Sequence, residues 1–388
     1  MARHLLDHAS TSPLRPEAAE TLDLWNDLAA RGELGDPSRI HAEGMQARVA
    51  LETARDQVAG LVGARSREIV FTSGSTESIA TATWGAVRRS VEQGHQPQIV
   101  LSAVEHSAVR RSSEQFAGAL GGRVTTIGVD RTGRVDVDAL LAAIEPTTSL
   151  VHLQWGNHEV GTLQPVAEVI ARCNELGVLV HIDASHAVGQ VAIDFGRLGA
   201  DLLSFSGHRF GGPSGTGVLA IRRGLRLEPL LHGSDQERGR RAGLEPLIAI
   251  LGLGAVAGAL DPLRLDRESQ QSRKLISAIA DLAATIDDME LLGDPDPDHR
   301  LPHIACFTVG GVEPQAVLLG LDQRGIAAHS GSACASEEIE PSPVLEAMGA
   351  DAHRSLRFSV GWSSSRSDVE ALGQELGPII EALRQLAR

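Results

Sequence analysis

Between about residues 50 and 250, short apolar, β-branched runs alternate with helix-patterned stretches, and this alternation restricts the fold more than any other feature of the chain. The runs are 68–71, 98–102, 123–127, 149–154, 178–182, 201–205 and 217–221, and helical patterns such as 78–92, 137–144 and 165–176 separate them. Strands that are apolar throughout and joined by helices predict a mostly parallel, seven-stranded sheet covered on both faces. In such sheets ligands bind beyond the carboxyl ends of the strands, which is where this sequence gathers its polar and glycine-rich segments. A second region opens near Pro246, with a long helix predicted over 263–282, and then reads as a smaller α+β unit. With 388 residues the chain exceeds one compact core, so two domains are expected. The large α/β domain is placed at 15–250, and a small α+β domain at 1–14 plus 251–388.

Charge narrows the partners. A net charge of −15 argues against nucleic acid or an anionic membrane surface as the main partner. No apolar run approaches the roughly 20 residues of a membrane span, and the opening Met1-Ala2-Arg3-His4-Leu5-Leu6-Asp7 lacks the apolar core of a secretory signal. The cysteines are Cys173, Cys306 and Cys334; an odd number cannot all pair, and their spacing is not a zinc pattern. A reducing cytoplasm is the expected location.

Three segments carry chemistry, each with a plainer alternative. Thr72-Ser73-Gly74-Ser75-Thr76-Glu77-Ser78 follows a strand and opens a helix, which makes either a phosphate cradle or an ordinary helix cap. Asp183 ends a predicted strand and can pair with a cofactor ring nitrogen or cap the following helix. Cys334 sits among small residues, Ala328 to Ser336, in a predicted loop; it is a candidate nucleophile or an incidental surface thiol. Cys173 and Cys306 lie in apolar contexts and read as core residues.

Together these segments resemble a cysteine desulfurase, of the class V aminotransferase-like, fold type I group of pyridoxal phosphate (PLP) proteins, nearly end to end. The carrying residues are Leu6-Asp7-His8-Ala9-Ser10-Thr11-Ser12-Pro13, the 68–78 segment, Glu105-His106-Ser107-Ala108-Val109, Ser332-Ala333-Cys334 with Glu340-Pro341-Ser342-Pro343-Val344-Leu345, and Arg357-Phe358-Ser359-Val360-Gly361. The resemblance implies a homodimer in which PLP activates L-cysteine and a cysteine takes its sulfur as a persulfide. It assigns Thr76, Ser206 and His208 to the phosphate, His106 to stacking on the ring, and Asp183 to the ring nitrogen. Cys334 becomes the persulfide carrier and Arg357 the carboxylate clamp.

The departures from the family pattern are equally informative. In Ser206-Gly207-His208-Arg209-Phe210-Gly211, Arg209 stands where the family has its Schiff-base lysine. A guanidinium stays protonated and has no lone pair to condense with an aldehyde. The one lysine, Lys274, falls on the predicted helix leading into the small domain and reads as a solvated charge. His158 replaces an asparagine at the cofactor's phenolic oxygen and His186 replaces a glutamine. Leu244 replaces a threonine that reaches the partner subunit's phosphate, Asp36 the asparagine of a substrate-side turn, and Trp362 an arginine. No metal is expected, although His106, His158, Asp183 and His186 form an alternative imidazole–carboxylate ligand set.

The expectation is a desulfurase-like protein that handles sulfur through a Cys334 persulfide, with covalent PLP absent and ordinary desulfuration weak or absent. A sulfur-acceptor protein or an active desulfurase is the expected partner besides a second copy. A non-enzymatic dimeric scaffold for sulfur-pathway partners, and an enzyme with a rebuilt pocket using non-covalent PLP or a metal, stand as alternatives.

Overall fold

The computed structural model describes residues 3–331 and 341–386. Its large sheet contains β2 (Ile69–Thr72), β3 (Gln98–Ser102), β4 (Arg123–Ile127), β5 (Thr148–Gln154), β6 (Val180–Asp183), β7 (Leu202–Ser206) and β8 (Gly217–Ile221), after a short β1 (His4–Leu5) that lies elsewhere. The seven strands run in the order β2-β8-β7-β6-β5-β3-β4. Only β8 opposes its neighbours; β2, β7, β6, β5, β3 and β4 share one direction, so their carboxyl ends share one edge. Every residue of β3, β5, β6, β7 and β8 is buried, as expected for strands covered on both faces.

The helix Ser75–Glu92 begins three residues earlier than its apolar periodicity indicates. Its first turn is polar because it forms part of the site rather than of the core. The helix Leu247–Ala259 is apolar on all sides and buried in the main cluster with Ala18, Ala47, Leu51 and Ala54. Gly254 makes this packing possible, since a β-carbon there would stand 2.5 Å from that of Ala54.

A second cluster holds Leu6, Leu275, Ile279, Phe307, Leu321, Phe358, Leu372 and Ile380. It covers a three-stranded antiparallel sheet of β9 (Met289–Leu292), β10 (Ile304–Val309) and β12 (Ser355–Ser359). Strand β1 pairs in parallel with β11 (Ile326–Ala327), which brings the N-terminal segment into this cluster. The predicted 263–282 helix runs from Pro262 to Ala283, capped by Asp261, whose side chain accepts from Arg264 N.

Gly217 is a steric requirement. It opens β8 opposite Thr72 and Ser206, and a β-carbon would lie 2.4 Å from the Gly74 backbone. Gly217→Ala is expected to cost about 1–3 kcal/mol, the usual penalty of overpacking, and to displace the turn that opens the Ser75–Glu92 helix. Urea unfolding checks this; an unchanged midpoint would contradict it.

Candidate active site

Five strand ends deliver the site. Beyond β2 lies Ser75, beyond β3 Glu105 and His106, beyond β5 Gly156 and His158, at and beyond β6 Asp183, Ser185 and His186, and beyond β7 Arg209. All of these except Glu105, together with Gln154, line a cavity of about 20 Å³. That is room for about one water molecule, whereas ligand pockets usually measure roughly 300–1,000 Å³. A larger groove of about 410 Å³ lies at the amino ends of β5 and β6, beside Arg89 and Leu176, and contains none of the motif residues.

Arg209 is the cation of the cavity. Its Nη1 donates to the carbonyl of Ala9 and, at 2.9 Å, to that of Ser10, while its Nε has no partner. Burial, with Arg357 adding to it, pulls its guanidinium down to about 10, which still leaves it charged at neutral pH. Arg357 is engaged internally. It donates to His158 O at 2.9 Å and, at 3.0 Å each, to Asp7 Oδ1 and Ser10 Oγ. The clamp expected to hold a substrate carboxylate thus already carries an internal one.

Asp183 closes a local turn, since no helix begins until Phe195, and its side chain also faces the cavity. Its Oδ1 accepts from Ser185 N at 3.0 Å and Ser185 Oγ at 2.5 Å. Burial pushes its carboxyl above the usual range. Glu105 is the other buried acid. Its Oε1 accepts from Gln154 N at 2.9 Å, its Oε2 has no partner, and burial drives its carboxyl up to about 8.

His106 caps the helix Ser107–Ala119 by accepting from Ala108 N through Nδ1 at 3.1 Å. Burial holds it down to about 3, so it is neutral and its proton resides on Nε2. Four rings follow one another: His106 and His158 are 5.1 Å apart edge to face, His158 and His186 6.1 Å, and His186 and His303 6.4 Å and stacked. The structure brings His106, His158, Asp183 and His186, the alternative ligand set, to one cavity. Among the described residues no group of three or more His, Cys, Asp or Glu side chains is arranged to hold a metal ion.

The phosphate-side residues are only partly assembled. Ser206 Oγ accepts from Ser75 N at 2.7 Å and lies 3.1 Å from Ser75 Oγ. Thr76 is exposed on the first turn of the helix, and His208 is half-buried, its carbonyl accepting from Ser12 N. Asp36 is not brought to the cavity. Its Oδ1 accepts from Ser38 N and Ser38 Oγ in a local turn, and Arg39 pairs with it at 3.3 Å. Leu244 is exposed, and Trp362 donates to Pro13 O with the Arg15 guanidinium over its ring. Cys334 lies outside the described residues. His303, at the foot of β10, carried no sequence signal, whereas Glu105 and Ser185 adjoin motif residues and were within reach of one.

Whether these residues fit PLP can be tested on the geometry. The helix N-terminus and the Ser75, Thr76 and Ser206 hydroxyls suit a phosphate. The ring slot does not suit a covalently held pyridine: no amine lines it, it has room for about one water molecule, and Arg209 borders it. Lys274 is exposed on the Pro262–Ala283 helix, away from the cavity.

The aminotransferase class-V family model matches residues 4–372. The chain is 38% identical over 386 residues to cysteine desulfurase IscS of Dictyoglomus turgidum, covering 98% of this chain and 95% of that protein. It is 39% identical over 390 residues to the IscS-like cysteine desulfurase of Mycobacterium tuberculosis, covering 98% and 97%. Among solved structures, a NifS-like protein superimposes with a TM-score of 0.88 at 27% identity, over 98% of this chain and all of that one. The chain belongs to the aminotransferase class-V family, in its cysteine desulfurase branch.

Proposed function

We propose that this protein handles sulfur as a Cys334 persulfide and does not activate L-cysteine through a lysine Schiff base. The observation that supports this reading is Arg209. The residue at the family's lysine position is a guanidinium tied to the Ala9 and Ser10 carbonyls and bordering the ring slot. Without an amine there, no side chain is placed to condense with an aldehyde or to move a proton at a substrate α-carbon. Sulfur then arrives by exchange. The Cys334 thiolate attacks the outer sulfur of a donor's persulfide, the donor's S–S bond breaks, a new S–S bond forms on Cys334, and the donor leaves as a thiolate. The number of S–S bonds is unchanged, so no oxidant is required. The donor is an active desulfurase, and an acceptor protein takes the sulfur onward.

The protein acts as a homodimer in the cytoplasm. Ile40, Met45 and Val49 are exposed apolar side chains along the start of the Ala42–Leu61 helix, a patch suited to a second copy. Cys173 and Cys306 do not compete for sulfur, because both are buried and burial pushes both thiols up to about 12.

Incubation with an active desulfurase and L-cysteine, alkylation and mass spectrometry are expected to find the persulfide on Cys334. Sulfur on Cys173 or Cys306 with Cys334 unmodified would defeat this reading. The dimeric scaffold for sulfur-pathway partners would then be favoured.

A further inference from the structure

The cavity beside Arg209 has a charge that no carboxylate among the described residues neutralises by contact. Among the described residues no carboxylate lies within ion-pairing distance of the Arg209 guanidinium, and its Nη1 bonds go to neutral carbonyls. Arg357, the nearby second guanidinium, is already paired with Asp7 at 3.0 Å. Asp183 lines the same cavity, but its Oδ1 is turned to Ser185. A buried cation without a paired anion is costly.

Two polar atoms at this place also lack partners: Arg209 Nε, and Nδ1 of His186, a cavity-lining residue that is 8% exposed. His186 stacks at 16° on His303, whose Nδ1 is likewise unpartnered. Buried polar atoms are normally satisfied by protein or by something bound. The cavity of about 20 Å³ limits what that can be. It admits a body close to the size of a water molecule and is far below the volume of a pocket that takes an aromatic cofactor.

We propose that Arg209 makes the former ring slot a binding site for a small monovalent anion of one heavy atom, such as chloride or hydrosulfide, held by the guanidinium against the His186 ring. This deepens the preceding reading and rests on it in one respect, that the slot carries no lysine-linked cofactor. Hydrosulfide is the member of this class that persulfide chemistry would supply. Chloride is the member present in any buffer, so the two must be compared directly.

The test uses the whole protein as a Cys334→Ser variant, so that its outcome does not depend on persulfide transfer at that thiol. Melting temperature is followed against chloride, bromide, hydrosulfide and sulfate, with gluconate holding ionic strength constant. Saturable stabilisation by the three small anions is expected, with sulfate no better than gluconate. Arg209→Gln should weaken the apparent affinity at least tenfold. Equal curves for chloride and gluconate, or an undiminished response in Arg209→Gln, would overturn the proposal. Should Arg209→Gln fail to fold, bromide-soaked crystals decide. An anomalous peak within hydrogen-bonding distance of Arg209 supports the site, and a water there with bromide only at the surface refutes it. Stabilisation by chloride alone would keep the anion site and remove hydrosulfide as its occupant.

Discussion

Given L-cysteine and added PLP, the purified protein is expected to release sulfide about 10²- to 10⁴-fold more slowly than a lysine-bearing member of the family, the range that one positioned proton-transfer group commands. The reason is local. Arg209, which the family resemblance puts in the lysine's place, stays charged and holds the Ala9 and Ser10 carbonyls. Borohydride treatment in the presence of PLP is expected to trap no adduct in the cleft, because no amine lines it and Lys274 lies on a distant helix. Arg209→Lys is expected to recover only part of the activity. His158 and His186 still border the slot. Sulfide release and absorbance near 400 nm measure both effects. Full recovery by that one change would show that the other departures are neutral, and a yellow protein trapped on Lys274 would remove the basis of the prediction.

The second large effect concerns stability. Glu237 is fully buried and accepts two bonds from Arg55, at 2.7 and 2.8 Å, and one from Phe71 N at 2.9 Å. Arg55 is itself buried, donates to Ile69 O, and lies over the Phe71 ring. This pair fastens the 236–239 turn, where Glu237 and Arg238 adopt positive φ, to the edge strand β2. Glu237→Ala would leave a buried guanidinium without its partner and the Phe71 amide without an acceptor. Breaking such a pair costs about 3–5 kcal/mol, so a large drop in the urea midpoint is expected. Glu237→Gln, which keeps the shape and an acceptor, should lose less. A midpoint for Glu237→Ala within error of the parent protein would contradict the assignment. The double variant Arg55→Met with Glu237→Leu is expected to recover much of the loss, since apolar replacements of buried pairs are often neutral.

Much of the fold was legible because the strands are buried on both faces. An apolar run such as 98–102 or 217–221 has few alternatives, and both coincide with observed strands. The direction of β8 was not legible. A five-residue apolar strand reads the same whichever way it runs, and only its pairing with β2 and β7 reveals that it is antiparallel. The Leu247–Ala259 helix went unassigned because it is apolar all round, so it lacks the one-sided periodicity that marks a helix at a surface.

The candidate site divided in the same way. Residue identity alone determined that Arg209 cannot form a Schiff base, since that follows from guanidinium chemistry wherever the side chain lies. Identity also placed His106, His158, Asp183, His186 and Arg209 at strand ends, and the shared direction of β3, β5, β6 and β7 brings them together. Which partners their atoms take was decided by tertiary structure. Asp7 and Ser10 come from the first segment of the chain to occupy Arg357, Ala9 and Ser10 offer carbonyls to Arg209, and His303 arrives from the small sheet to stack on His186. These contacts join residues about 120 to 350 positions apart. Short-range patterns carry no record of them, because they arise only where segments distant in sequence meet at one edge of the large sheet.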